Sequence, residues 1–356
     1  MDCLYVIMPG GTSQFLKNMV EKVTGKVPYT LIDNSCQIPD LKDKKILFAV
    51  ELDECGSNLP LLEIFSSLYK RGSDSLLGSS AIILIRSSSA LYTKSAAKNI
   101  IFLANGLGCS FKGHPLIEAT GDLSNFKTWQ KTLDMSLENI CFHLCENLGE
   151  SFINDLPPII QSPKILALHS SSYKTSNTLL LWNMTKEYLK DYCYIDEFHV
   201  ENGTIVDCKG CSYKTCTNYS KQNTCFYEGV VTDKLLPSIE NADYIIWICP
   251  NYNDAVSAKL MAVINRLTVL YKKTDFYNKY LFSIIVSGNS GSDCVAKQLI
   301  GALNINKGFR LPPYFCIMET ANDPKSILKV PNIEEKARLF AQNILKNIKK
   351  SFFERF

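Results

Sequence analysis

The chain has 356 residues, 46% of them hydrophobic and 21% charged, with 38 Lys and Arg against 35 Asp and Glu. That length exceeds one ordinary core and implies roughly two domains, while the composition excludes a disordered chain. A net charge of +3 is too small to argue for a nucleic-acid or membrane-surface partner, and no apolar run approaches the ~18 residues of a membrane-spanning helix. No basic residue precedes the short apolar stretch at the start, so the expected location is the cytoplasm.

In the N-terminal half, Leu4 to Met8 predicts a first strand, followed by a Pro9 to Ser13 loop and a helix over Phe15 to Val23. Lys45 to Val50 and Ala81 to Ile85 predict further strands; Leu59 to Tyr69 and Ser95 to Leu103 predict helices. Gly121 to Phe126 reads as a loop, and Trp129 to Leu148 as one long closing helix. Strands alternating with helices imply parallel pairing through crossovers, hence an open α/β sheet. Asp155-Leu156-Pro157-Pro158 breaks the pattern, because proline lacks a donor and disfavours helix before it. The expected domains are therefore 1–152 and 163–356.

The second half opens with Lys164 to Leu168, a short apolar strand, and Ser170 to Thr178, a hydroxyl-rich loop leading into a helix from Leu179. Strand, polar loop and helix make the order of a phosphate cradle, since a helix start offers unpaired N–H groups and a partial positive charge. An ordinary N-capped turn has the same order. Tyr192 to Val200, Tyr244 to Cys249, Leu281 to Val286 and Pro313 to Met318 predict four more strands. Helices are expected over Ala255 to Tyr271, Cys294 to Leu303 and Ile333 to Phe353. The basic, amphipathic Lys346 to Phe356 reads as the solvated face of that last helix.

The halves also superimpose in sequence. At an offset of 199 residues, without a gap from about Glu51 to Thr120, Leu61 falls on Leu260, Ile85 on Ile284, Ser88 on Ser287, Ala97 on Ala296 and Asn105 on Asn304. Chance periodicity of α/β units is one account; tandem duplication is the other.

Three ordered segments carry a family likeness: Ser170-Ser171-Ser172-Tyr173-Lys174-Thr175-Ser176-Asn177-Thr178, then Ala242-Asp243 through Pro250-Asn251-Tyr252 into Ser257-Ala258-Lys259-Leu260, then the Ser287-Gly288 turn. In these the C-terminal half resembles the NAD(P)H-dependent FMN reductase-like branch of the flavodoxin-like flavoproteins. The resemblance implies an α/β chain of two tandem flavodoxin-like domains, each an open parallel sheet with helices on both faces. It implies FMN, NAD(P)H as co-substrate and a small-molecule electron acceptor. The phosphate would meet Ser170, Ser171, Tyr173, Ser176, Asn177 and Thr178, with the hydroxyls and amide of Ser171, Ser176, Asn177 and Thr178 as donors. The ring would lie against Pro250, Asn251, Tyr252, Asn253 and Asp254, with Ser287 and Gly288 closing the other side. The flavin would carry the redox chemistry, so no catalytic side chain is named. Ser170 replaces the family's Gly and Tyr173 its Arg, which implies weaker FMN binding, with Lys174 as a substitute cation. By the repeat, Pro250 and Tyr252 correspond to Glu51 and Asp53. With Glu54 these make an acidic loop, so the N-terminal copy is expected to hold no cofactor, and the two copies to form an internal pseudo-dimer.

Fourteen cysteines are present. Ten are scattered, Cys3, Cys36, Cys55, Cys249 and Cys316 among them, and those ten read as small core residues kept reduced. Cys208, Cys211, Cys216 and Cys225 stand C-x2-C-x4-C-x8-C, a density that in a reducing compartment suggests a metal or iron–sulfur site before a disulfide. The resemblance adds that iron–sulfur flavoproteins hold a 4Fe-4S cluster with a compact motif at this place and pass electrons to ferredoxin-like partners. The third cysteine here stands two residues later than in that motif. A cluster, zinc and free thiols all remain open, as does a scaffold without catalysis. His114, His143, His169 and His199 show no i, i+4 ligand pair and read as structural, with His169 alone near the cradle.

Overall fold

Runs such as Ile46–Val50, Ala81–Ile85 and Tyr244–Cys249 are buried throughout. They have no alternation that would leave one face to water, which is the pattern of parallel strands covered by helices on both sides. The computed structural model describes residues 4–158, 160, 162–201, 205–222 and 224–346. The chain divides into two units: Met1–Leu156 with Pro312–Tyr314, and Pro157–Leu311 with Phe315–Phe356.

Unit 1 runs β1 (Leu4–Ile7), α1 (Gln14–Thr24), β2 (Tyr29–Ile32), β3 (Lys45–Glu51), α2 (Leu59–Arg71), β4 (Ser80–Arg86), α3 (Thr93–Asn105), β5 (Ser110–Ala119), α4 (Lys127–Leu133) and α5 (Leu137–Ile153). Its sheet order is β2-β1-β3-β4-β5, every pair parallel. One core lies between the sheet and helices α1 and α5, with Leu16, Met19, Ile82, Leu84, Cys141 and Phe152 among its buried residues. The expected single helix over Trp129 to Leu148 is two. Asp134 takes a left-handed φ of 45°, and Ser136 then caps α5 by accepting from Asn139 N. Two strands were not expected. β2 is an exposed edge strand, and β5 carries an irregularity where Lys112 to Pro115 leave the ladder.

Unit 2 runs β6 (Lys164–His169), α6 (Asn177–Glu187), β7 (Tyr194–His199), α7 (Tyr213–Lys221), α8 (Leu236–Asn241), β8 (Tyr244–Pro250), α9 (Ala258–Arg266), α10 (Thr268–Tyr271), β9 (Tyr280–Ser287), α11 (Ser292–Leu299), β10 (Cys316–Thr320) and α12 (Ile333–Leu345). Its sheet is β7-β6-β8-β9-β10, again all parallel. Counted within each unit, both sheets read 2-1-3-4-5, the flavodoxin-like order. The tandem α/β architecture is thus as expected. The expected helix over Ala255 to Tyr271 begins only at Ala258 and breaks at Leu267, and α11 continues as a π-helical turn over Ile300–Ile305. The tail beyond Lys346, and Cys3, lie outside the described residues.

The gapless repeat needs one correction. Glu51 and Pro250 stand 199 residues apart, but their ladder partners Arg86 and Val286 stand 200 apart. Ser287 therefore matches Ser87, not Ser88, and both serines are fully buried. The 199 offset returns in the next helix, where Asn105 Nδ2 donates to Cys109 O at 2.9 Å and Asn304 Nδ2 to Phe309 O at 2.7 Å. Among the described residues no helix is long and apolar enough to cross a membrane.

Candidate functional site

In unit 2 the chain steps outward from β6 to β7 and then returns past β6 to β8. Open α/β sheets bind ligands outside the carboxyl ends of the strands at such a reversal. The loop after β6 is the hydroxyl-rich cradle. Ser176 caps α6, its Oγ accepting from Leu179 N at 3.1 Å, which leaves its hydroxyl proton free to donate. Ser170 Oγ lies 2.9 Å from Ser257 Oγ at the start of α9, tying the cradle to the loop after β8. Ser171 is 1% exposed and its Oγ has no partner. Burial of an unsatisfied hydroxyl costs about 1–3 kcal/mol, so a ligand oxygen at the cradle has a donor waiting for it. Thr178 is buried in the first turn of α6.

Asn177 plays a different part from the one its place in the motif suggests. Its Nδ2 donates to Ala321 O at 3.0 Å and to Asp323 O at 2.8 Å, while its Oδ1 accepts from Ile327 N at 3.4 Å. The side chain is a tether for the segment after β10, and only its backbone N–H remains for an anion.

Tyr173 folds back onto two histidines. His169 and His199 are ladder partners at the ends of β6 and β7. Their rings stack 4.6 Å apart at 11°, and Tyr173 meets both edge-on at 5.3 and 5.1 Å. His169 is fully buried with Nδ1 unpartnered. Burial, then the neighbouring His199, pulls its pKa down to about 4, so it is neutral near pH 7. Lys174, the expected substitute cation, is exposed.

The loop after β8 is held from several sides. Asn251 Nδ2 reaches Ser287 Oγ at 3.0 Å, Ser290 O at 3.2 Å and Asp254 Oδ1 at 3.2 Å, and its Oδ1 is buried without a partner. Asn253 and Asp254 adopt left-handed φ of 53° and 56°, which Asn and Asp tolerate best among residues with a side chain. A Cβ on Gly291 (φ +91°) would collide with the Asp254 carboxylate, so only glycine fits that approach. Tyr252 is 58% exposed. Next to it, Ser287 Oγ is 2.6 Å from Ser292 Oγ, and a Cβ on Gly288 would press on Asn322. The three segments named from the sequence thus stand at one edge of one sheet.

Unit 1 has the corresponding edge, and its own acid occupies it. Ser13 caps α1, and Glu51 Oε2 accepts from Ser13 N at 3.1 Å and from Ser13 Oγ at 2.7 Å. The carboxylate therefore stands where an anion would meet the helix start. Asp53 closes the next loop on itself, accepting from Ser57 N and Cys55 N. Those bonds, the one from Ser57 N foremost, hold its carboxyl below the usual carboxylate range.

The four clustered cysteines line one cavity of about 290 Å³ with Tyr213, Tyr219, Tyr227, Arg266 and Lys272. The Tyr227 hydroxyl is pushed above its ordinary value by burial and by the sulfurs of Cys211, Cys225 and Cys208. Among the described residues, no group of three or more His, Cys, Asp or Glu is gathered closely enough to grip a metal ion. The thirteen described cysteines are all free. Three readings of core cysteines fail, since Cys36, Cys55 and Cys294 are exposed; Cys109, Cys141, Cys145 and Cys249 are buried as expected.

Residues 163–323 match the family described as NADPH-dependent FMN reductase. No curated protein matches the chain. Among solved structures, the chain is similar to RosB with the bound intermediate 8-demethyl-8-formylriboflavin-5'-phosphate, at 18% identity over 51% of this chain and 77% of that one, TM-score 0.42. It is also similar to an NAD(P)H:quinone oxidoreductase from Methanothermobacter marburgensis, at 15% identity over 51% and 99%, TM-score 0.37. A third is an azoreductase from Bacillus anthracis str. Sterne, at 13% identity over 51% and 98%, TM-score 0.35.

Proposed function

We propose that the chain is an FMN-dependent oxidoreductase that takes electrons from NAD(P)H and passes them to a small acceptor such as a flavin or quinone. The observation that carries this reading is the buried, unpartnered Ser171 hydroxyl in a capped strand-to-helix loop, within the segment that matches the reductase family. The donor set fits a phosphomonoester: Ser171 Oγ, the Ser176 hydroxyl and the first N–H groups of α6. FMN, when bound, supplies the electron-transfer chemistry. The chain's residues bind and orient: the cradle takes the phosphate, and Asn251, Tyr252 and Ser287 define the face offered to the ring.

The test is an absorption spectrum of protein purified without oxygen, with and without added FMN, followed by NAD(P)H oxidation. Flavin bands with turnover are expected. A colourless protein that takes up no FMN refutes the reading and leaves a scaffold.

A second reading, an iron–sulfur flavoprotein with Cys208, Cys211, Cys216 and Cys225 as ligands and a ferredoxin-like partner, does not fit the geometry: the four line one cavity of about 290 Å³, but among the described residues no three metal-ligating groups are gathered closely enough to hold a metal ion. An iron count of roughly four per chain after anoxic reconstitution would overturn that.

A further inference from the structure

A guanidinium is always charged at ordinary pH, and burying it without a counter-charge is strongly unfavourable. Arg266, the last residue of α9, is 2% exposed. One terminal nitrogen donates to Val206 O at 2.9 Å and the other to Tyr227 O. Its Nε has no partner, and among the described residues it forms no ion pair. Asp207, next to Val206, is turned elsewhere: its Oδ1 accepts from Asn265 Nδ2 and Cys208 N. The two carbonyls and the carboxyl end of α9 supply partial negative charge only.

Arg266 lines the cavity of about 290 Å³, and no Asp or Glu lines it. Lys272, the other cation of the lining, lies 3.8 Å from the centre of the Tyr213 ring and donates to Thr217 Oγ1 at 2.7 Å. It too forms no ion pair among the described residues. Aromatic rings make much of the remaining wall. Phe226 meets Tyr219 edge-on at 5.6 Å and Tyr227 at 5.0 Å, and Tyr213 and Phe226 are exposed, so the lining reaches the surface. The cavity also stands apart from the cradle. α9 starts after Ser257, which meets Ser170, and ends at Arg266; its nine residues put about 13 Å between the two ends.

We infer that this cavity is a second ligand site of unit 2, made for a small aromatic carboxylate. A planar carboxylate accepts from the unpartnered Nε N–H and from the second N–H of a terminal nitrogen along one edge of the guanidinium. Lys272 adds positive charge, and the ligand ring packs against the Tyr219, Phe226 and Tyr227 rings in offset or edge-on contact. The volume lies at the lower end of pockets that take whole small molecules, about 300–1,000 Å³, so roughly one or two fused rings fit. Inorganic phosphate would answer the charge and leave the aromatic wall unfilled. The inference depends on neither FMN nor iron.

The experiment titrates the full chain with 2-naphthoate by calorimetry, in the presence and absence of saturating FMN. Binding tighter than about 1 mM and unchanged by FMN is expected. The uncharged 2-naphthamide and inorganic phosphate should each bind about tenfold more weakly, and Arg266→Met should weaken 2-naphthoate about tenfold, the loss of one charge-assisted bond. Iodoacetamide labelling mapped by mass spectrometry places the ligand: 2-naphthoate should slow alkylation of Cys211, Cys216 and Cys225 and leave the exposed Cys36 and Cys55 of unit 1 unchanged. If Arg266→Met fails to fold for want of its two carbonyl contacts, this labelling of wild type decides, together with weaker binding to Lys272→Met, which keeps those contacts. No binding, equal affinity for the amide, displacement by FMN, or alkylation unaffected at the three cavity thiols overturns the inference. The arm without FMN tests the cavity whether or not the reductase reading holds.

Discussion

Acid should loosen unit 2 through a single imidazole. His169 is fully buried, and burial followed by His199 brings its pKa from 6.5 down to about 4. Folded protein then binds fewer protons than unfolded chain over that interval, so stability present above pH 6.5 is lost as the pH falls toward 4. The loss works out at about 2 kcal/mol by pH 5 and about 3 kcal/mol by pH 4. Glu197 faces the same pair from β7, held by Lys186 and Trp182 at 2.8 and 2.9 Å. Its carboxyl lies below the usual range, burial opposing the shift and the bonds from Lys186 and Trp182 producing it. Its contribution fails only in stronger acid, so pH 5 isolates the histidine. Tyr173, edge-on to both rings, and Glu201, 3.4 Å from His199 Nδ1, also face the pair. Urea unfolding followed by tryptophan emission reads unit 2, since Trp182 and Trp247 are buried there and Trp129 of unit 1 is 45% exposed. Wild type should lose about 2 kcal/mol between pH 7 and pH 5, and His169→Phe, which keeps a ring against His199, should lose almost none of it. Equal losses in both proteins would show that His169 is not the group that titrates.

Other outcomes follow from the same geometry. FMN should bind wild type in the micromolar range, because Tyr173 stands where a cation would pair with the phosphate; Tyr173→Arg should tighten binding about tenfold. Calorimetry giving a nanomolar constant for wild type, or no gain for the arginine, contradicts this. Asn177→Ala removes two bonds donated to part-buried carbonyls, which should cost unit 2 about 1–2 kcal/mol; a urea midpoint within error of wild type would deny the tether. Glu51→Ala unpairs the start of α1 and should destabilise unit 1 by about 2 kcal/mol, read as faster hydrogen exchange at Leu16 and Lys17. Unchanged exchange would mean that the carboxylate is not holding the helix.

The sheets were legible because central strands such as Ile82–Ile85 are apolar at every position and separated by helix-length segments. Edge β2 was not, since Tyr29, Thr30 and Leu31 are exposed and give no burial pattern. β5 hid behind Gly113, His114 and Pro115, residues that argue against a strand until the irregularity in its ladder is seen. Of the site, the three loops were readable from residue type and order. The His169–His199 stack was not, because it depends on the register of two strands 30 residues apart in sequence. Nor was the second role of Asn177, whose partners lie beyond residue 320. Glu51 was read as a charge unfavourable to an anion; that it already serves as one emerged only from its distance to Ser13.

The carboxylate on Ser13 separates the fates of the two units when cofactor is scarce. A helix start that waits for a ligand gains stability with the logarithm of ligand concentration above its Kd; one that carries its own anion is indifferent to it. On the FMN reading proposed above, unit 2 would gain stability as it fills, while the start of α1 would draw none from a ligand because Glu51 already occupies it. The same reading makes the response to added FMN unequal between the halves: protease protection should rise within unit 2 and stay unchanged within unit 1.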